Sequence, residues 1–154
     1  MECYEGATMI KTFRGLITDG GQHTIRLHTN TGATGYRILN FQVMLATPGV
    51  GGGTETICKI YKVEQTAVDG AVDFSDQTLL AAAYYVEQDN AIYVPGTIIL
   101  FEREIFNQDI YITNIDVDGS QSLNYYIELE QVQLNLDENT VATLKDIRNV
   151  TAAV

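Results

Sequence analysis

The feature that most constrains this chain is the alternation of apolar and polar side chains along two long segments. In residues 36–46 every second position is apolar, through Leu39, Phe41, Val43 and Leu45. Residues 123–134 repeat the pattern through Leu123, Tyr125, Ile127 and Leu129. Successive side chains of a strand point to opposite faces of a sheet, so this spacing predicts strands buried on one face. The predicted core comprises Leu39, Phe41, Val43, Ile99, Phe101, Tyr125, Ile127 and Leu129.

Shorter segments of the same kind are separated by turn residues at short intervals. Residues 8–18 and 23–28 flank Asp19-Gly20-Gly21 and predict a β-hairpin, because glycine adopts the positive φ of a tight turn. Further strands are predicted over residues 56–63, 97–105 and 110–117. The last of these is expected to contain a bulge, since its apolar phase slips between Ile112 and Ile115. The polar and acidic residues 65–77 predict a loop.

Two segments leave their structure open. Residues 78–87, TLLAAAYYVE, combine helix formers with strand formers, and we favour a strand buried on both faces because the neighbouring segments are strands. Near the C-terminus, Val141, Leu144 and Ile147 form one apolar stripe, which fits either a short helix or an extended arm. A helix this short requires a surface on which to pack.

Eight to ten strands with hairpin-sized connections predict an all-β fold, an antiparallel β-sandwich of jelly-roll-like or Greek-key type. The length of 154 residues fits a single domain over residues 1–154. Residues 1–7 and 136–154 fit the strand pattern poorly, and we predict that they are terminal arms.

The formal net charge of −11 restricts the partners of this chain. Nucleic acids and anionic membranes are disfavoured, because both require basic residues on the protein. An acidic surface instead suits a protein partner with a basic face. We find no apolar run long enough to cross a membrane, and the N-terminal residues do not resemble a secretion signal.

No motif predicts a cofactor or a metal ion. Cys3 and Cys58 form no ligand pattern, and Cys58 is expected to pack as a small hydrophobic residue. The histidines His23 and His28 would point to opposite sides of one strand. Residues 116–120 begin like a calcium-binding loop, but the glycine comes too early, and a β-turn is the better interpretation. The glycine-rich residues 49–54 lack the Lys-Ser/Thr of a phosphate-binding loop.

Four glutamates at a spacing of two are the remaining candidates for function: Glu102, Glu104, Glu128 and Glu130. Paired carboxylates occur in glycosidases, but glycosidase clefts commonly contain tryptophan and this chain has none. Alternation alone explains the pattern as the partner-facing or solvated side of a sheet, balanced by Lys59, Lys62 or Arg103. We expect Lys59 and Lys62 to point outward, and we predict no catalytic site.

The sequence FEREIFNQDIYITNIDVDGSQSLNYYIELEQVQL, residues 101–134, resembles small virion-associated proteins of tailed bacteriophages, notably marine ones, as does TVATLKDIR, residues 140–148. This resemblance implies a non-enzymatic capsid decoration (cement) protein that binds and stabilises the capsid shell through the major capsid protein or another virion protein. We expect it to be a homo-oligomer or to occur in multiple copies on the assembly. Such a protein would reside on the capsid surface after assembly in the host cytoplasm. The glutamates and the stripe of Val141, Leu144 and Ile147 would then contact the partner.

The alternative is a carbohydrate- or receptor-binding β-sandwich module of a phage tail or tail fibre. Such a module would present exposed tyrosines in a groove. The chain offers Tyr84, Tyr85, Tyr93, Tyr125 and Tyr126 for that purpose.

Overall fold

The computed structural model describes residues 9–29, 31–49, 52–88 and 96–134. These ranges contain eight strands: β1 (Ile10–Ile17), β2 (Gln22–Ile25), β3 (Thr34–Leu45), β4 (Thr54–Tyr61), β5 (Leu79–Glu87), β6 (Thr97–Leu100), β7 (Ile110–Asp116) and β8 (Leu123–Gln133). No helix occurs in them, which confirms the all-β prediction, and accordingly these ranges hold no helical segment able to cross a membrane.

The strands form two antiparallel sheets with the core between them. One sheet has the order β1–β8–β3 and the other has the order β2–β7–β4–β5–β6. The pairs are nested, because β1 pairs with β8, β2 with β7 and β4 with β5. The remaining pair of such a nest would join β3 to β6, but here β6 pairs with β5, and β3 forms only an isolated bridge from Tyr36 to Phe106, beyond the end of β6. This nesting is the jelly-roll form of the predicted β-sandwich.

The hairpin predicted from β1 and β2 is wrong. The two strands lie in different sheets, and the turn at Gly20 carries the chain from one to the other. Backbone hydrogen bonds between Asn114 and this turn hold it on β7. Ile17 and Ile25 are both buried, so each strand turns its apolar side chains to the core from its own sheet. Alternation reports the buried face of a strand and not the neighbour with which it pairs.

A bulge in β3 reverses part of the predicted core. The pairing with β8 shifts between Ile38 and Asn40, which leaves Leu39 as the extra residue. Tyr36 and Ile38 therefore point inward before the bulge, and Phe41 and Leu45 do so after it. Leu39 was predicted to be buried, but its side chain is 38% exposed. Because a bulge adds one residue to the strand, the side chains that follow it face the opposite side of the sheet from the one that strict alternation predicts.

The other core predictions divide by position in the sheets. On the central strand β8, burial of Tyr125, Ile127 and Leu129 is confirmed, and Phe41 on β3 is buried as predicted. Val43 and Phe101 are only half-buried, and Val43 packs against the core. Ile99 was predicted to face inward, but it is exposed because its pairing with Ala82 places it on the same outer face as Lys59. Strand β6 also ends at Leu100 instead of continuing to residue 105.

Strand β5 confirms the interpretation of residues 78–87. Its first five residues, LLAAA, are buried, which fits its place between β4 and β6. The predicted bulge in β7 is wrong, since its pairing with β4 is continuous from Asp116 to Tyr111. The apolar phase slips there because two polar residues, Asn114 and Asp116, occupy buried positions of the strand.

Candidate functional site

The outer face of the five-stranded sheet is covered by the chain itself. Ile57, Lys59 and Tyr61 alternate on this face of β4, and all three are buried beneath residues 62–78, the connection to β5. The Lys59 Nζ atom lies 3.2 Å from Asp69 Oδ1 and donates to the Ala71 carbonyl oxygen at 2.5 Å. The same ammonium group lies 5.4 Å from the centre of the Tyr61 ring. The connection therefore covers the β4 part of this face, whereas Tyr84 on β5 and Ile99 on β6 remain exposed on it.

The prediction that the two lysines point outward requires correction. Lys59 is on the outer face of the sheet, yet it is only 3% exposed because the connection covers it. Lys62 is also buried, and its Nζ atom lies 3.2 Å from Glu104 Oε2. Sequence alternation could not indicate this, because a loop that folds back over a sheet leaves no periodic signal.

The outer face of the three-stranded sheet carries exposed apolar side chains. Leu16 on β1 is 52% exposed and Met44 on β3 is 63% exposed, and Ile10 and Leu39 are exposed on the same sheet. None of the described segments covers Leu16 or Met44. Contiguous apolar exposure on a rigid sheet is characteristic of interaction surfaces.

Charged and polar side chains occupy the middle of this face on β8. The Arg37 guanidinium donates to the Glu130 carboxylate across the β3–β8 pair. The Tyr126 hydroxyl donates to Glu128 Oε1 at 2.7 Å, and this hydrogen bond, helped by burial and by the carboxylate's charge, raises the pKa of Tyr126. The central polar groups of the face are therefore held by pairing within the sheet.

A groove crosses the three strands at one end of this face, with a volume of about 550 Å³. One wall is the cross-strand row of Arg14, Tyr126 and Gln42, and the other is the row of Leu16, Asn124 and Met44. Between them lies the row of Gly15, Tyr125 and Val43. Tyr125 and Val43 pack towards the core, so the backbone forms the floor of the groove.

Gly15 is required at the floor of the groove. A Cβ atom there would lie 2.7 Å from the Tyr125 hydroxyl oxygen, closer than real contacts allow. That hydroxyl lies 3.1 Å from His23 Nδ1, which joins β8 to β2 of the opposite sheet. Burial, followed by the nearby Cys58 thiol, raises the pKa of Tyr125.

The four predicted glutamates do not form one surface. Glu128 and Glu130 lie on the outer face of β8, whereas Glu102 and Glu104 lie in the turn after β6. Glu102 is exposed and Glu104 pairs with Lys62. The residues of the predicted C-terminal stripe, Val141, Leu144 and Ile147, lie outside the described residues, as do the two predicted arms.

The groove residues themselves were missed from the sequence. Arg14, Leu16, Gln42 and Met44 come together only when β1 and β3 pair on either side of β8. One signal was available, because Met44 falls on the polar side of the β3 alternation with Gln42. A large apolar residue among outward-facing polar ones marks a candidate contact.

The calcium-like turn at residues 116–120 is built around the Asp116 carboxylate. It accepts hydrogen bonds from the Thr54 hydroxyl at 2.6 Å and from the amides of Glu55, Asp118, Gly119 and Gln121. Burial alone would raise the pKa of Asp116, but these hydrogen bonds outweigh it and lower the pKa to about 2. The carboxylate therefore serves as the centre of a turn.

The remaining candidates have simple structural surroundings. His28 Nδ1 lies 2.7 Å from Asp109 Oδ1, which also accepts the amide hydrogens of Leu27 and His28. Cys58 is fully buried in the core, as expected of a small hydrophobic residue, and burial raises the pKa of its thiol. Among the described residues no three His, Cys, Asp or Glu side chains are placed to share a metal ion.

We compared the sequence with protein families and with curated proteins. No protein-family model and no curated protein matches this sequence. The interpretation of function consequently depends on the two outer faces and on the chemistry of the groove.

Proposed function

We propose that this protein is a non-enzymatic structural protein of a virion, of the capsid decoration type, which docks on the shell through the outer face of its three-stranded sheet. The observation that carries the proposal is the difference between the two faces. One is covered by residues 62–78, and the other presents Leu16 and Met44 to solvent. The resemblance of residues 101–134 to virion-associated proteins of tailed bacteriophages supports the same function.

The energetics of this face suit a docking surface. Leu16 and Met44 are about half exposed or more, and burying the rest of each is worth roughly 1 kcal/mol by area. Because the backbone is already ordered in paired strands, the conformational cost of binding is limited to the rotamer freedom of the exposed side chains. Many copies bound side by side would multiply a modest affinity for each contact.

The charge of the face differs from the charge of the whole chain. The chain carries a formal −11, but this face combines Arg14 and Arg37 with Glu128 and Glu130. The excess acidic residues therefore lie elsewhere, where they would keep unassembled copies apart. A locally balanced face avoids that repulsion where the partner docks.

The first experiment is proteomics of intact particles purified from cultures that express the protein. We expect the chain to be a constituent at tens to hundreds of copies, in fixed ratio to the major capsid protein. Detection in the culture but not in the particles would contradict the proposal.

The second experiment tests the face. The double variant Leu16→Glu/Met44→Glu should fold normally and lose particle binding in co-sedimentation. Val72→Glu is the matched control, because Val72 is an exposed apolar residue on the covering connection. Unchanged binding by the double variant would assign docking to another surface.

A carbohydrate-binding module is the second candidate, and the groove is the observation that favours it. Gln42 and Asn124 offer amide groups beside Tyr126, an arrangement able to hydrogen-bond sugar hydroxyls. A glycan array separates the candidates. Glycan binding lost in Gln42→Ala, together with absence of the chain from particle shells, would favour this function.

A further inference from the structure

We infer that the groove takes an extended segment of a partner protein, with an aspartate or glutamate paired to Arg14 and an apolar neighbour packed on Leu16 and Met44. The inference rests on the proposed function and names the chemistry of its contact. It commits to a protein segment because the exposed apolar side chains of the groove are aliphatic, whereas sugars stack on aromatic ring faces.

Charge is the first argument. Of the described residues that line the groove, Arg14 alone is charged. Four of the other described basic side chains have partners within the chain, namely Arg37 with Glu130, Lys59 with Asp69, Lys62 with Glu104, and Lys11 with the Tyr36 hydroxyl, whereas Arg26 and Arg103 lie outside the groove. Across the described ranges Arg14 forms no ion pair. A guanidinium with unused donors favours a carboxylate, which it can bind in a bidentate manner.

The dimensions of the groove supply the second argument. The walls are rows two residues apart on each strand, which places them about 7 Å from each other. The groove crosses three strands, which is roughly 10 Å and matches three residues of extended chain. Side chains of such a segment alternate between the walls. Its first residue would face Arg14, the second would lie over Asn124 and reach Leu16 and Met44 on either side of it, and the third would face Gln42.

This alternation predicts a sequence pattern in the partner. The order acidic, apolar, polar places a carboxylate at Arg14 and a hydrogen-bonding side chain at Gln42. The Tyr126 hydroxyl between them already donates to Glu128, so it offers only acceptor capacity to the segment. A donor in the third residue, such as serine, therefore fits this wall.

The test uses the full chain and three capped peptides, Glu-Leu-Ser, Gln-Leu-Ser and Lys-Leu-Ser, titrated while amide NMR spectra are recorded. We expect the glutamate peptide to shift the amides of Gly15, Tyr125 and Val43. It should bind roughly fivefold more tightly than the glutamine peptide, the size expected of one partly screened ion pair. Arg14→Gln should remove this preference. Arg26→Gln should keep it, because Arg26 is an exposed arginine that follows β2 and lies outside the groove.

Three outcomes would overturn the inference: equal binding of the glutamate and glutamine peptides, a preference for lysine, or a saccharide that shifts the same amides when no peptide does. Particle binding distinguishes this failure from failure of the proposed function. If Leu16→Glu/Met44→Glu loses particles and Arg14→Gln keeps them at full affinity, the face docks without the carboxylate. If both variants keep particles, both proposals fail.

Discussion

The two outer faces of this sandwich are built from strands of the same kind, yet one is covered over β4 and the other is open. On the five-stranded sheet, residues 62–78 return over β4 and bury even Lys59. On the three-stranded sheet, no described segment covers Leu16 or Met44. The comparison teaches that burial on an outer face is decided by the connections between strands and not by the polarity of the strands. A lysine is buried on one face while a methionine is exposed on the other.

The largest expected effect concerns the core that both sheets share. Phe41 is fully buried between them, and Phe41→Ala should cost roughly 3 to 5 kcal/mol of unfolding free energy through the cavity it leaves. Phe101→Ala should cost less, about 1 to 2 kcal/mol, because Phe101 is half-buried and makes an edge contact with Phe74. Urea unfolding measures both. Equal costs would mean that the half-buried site is as closely packed as the core.

The next effect concerns the end at which the two sheets are joined. Asp116 connects β4, the β7–β8 turn and, through its amide, Asp19 after β1. Its pKa is about 2, below the ordinary 3.8. A lowered carboxyl pKa adds stability above the unfolded value and loses it as the pH falls, so we expect a loss of about 2 kcal/mol between about pH 4 and about pH 2.

Asp116→Asn is the control for that acid transition, because an amide does not titrate. The variant should be less stable than the parent at neutral pH, and the difference should shrink as the pH approaches about 2. Stability curves that remain parallel down to that pH would show that another carboxyl is responsible.

A smaller effect compares the two faces directly. Lys59→Ala removes a buried stem and its contacts with Ala71 and Asp69, and we expect a loss of roughly 1 to 3 kcal/mol. Lys59→Met retains the stem and should lose less, since Asp69 is exposed and can be hydrated. Arg14→Ala on the open face should change stability by no more than about 0.5 kcal/mol. Thermal and urea unfolding would measure the stability of the three variants. An equal loss of unfolding free energy in Arg14→Ala and Lys59→Ala would contradict the difference between the two faces.

The smallest expected effect on stability comes from deleting residues 140–154, which contain Val141, Leu144 and Ile147. From the sequence we predict that the β-body remains folded and that particle binding or self-association weakens. A melting curve together with a particle-binding assay measures both. Unfolding of the truncated chain would assign this segment to the core, and unchanged folding and binding would remove it from the docking model.

The parts of the candidate site differed in how far the sequence could predict them. Glu128 and Glu130 were found because they alternate with the buried residues of β8, and the structure places them on the outer face of that strand. The sequence predicts Glu102 and Glu104 as a matching pair on a second strand, but β6 ends before them. Arg14 and Met44 were not found, because they are 30 positions apart in sequence and meet only through pairing with β8.

By itself, the sequence determined the fold class and the buried face of β8, and for residues 78–87 it favoured a strand over a helix. Each of these follows from local alternation or apolar content, which every strand carries in its own residues. Only the tertiary structure decided the sheet to which β2 belongs, the bulge at Leu39, the burial of Lys59 and the groove beside Arg14. These features depend on pairing and covering between segments distant in sequence, and such contacts leave no periodic mark on either segment alone.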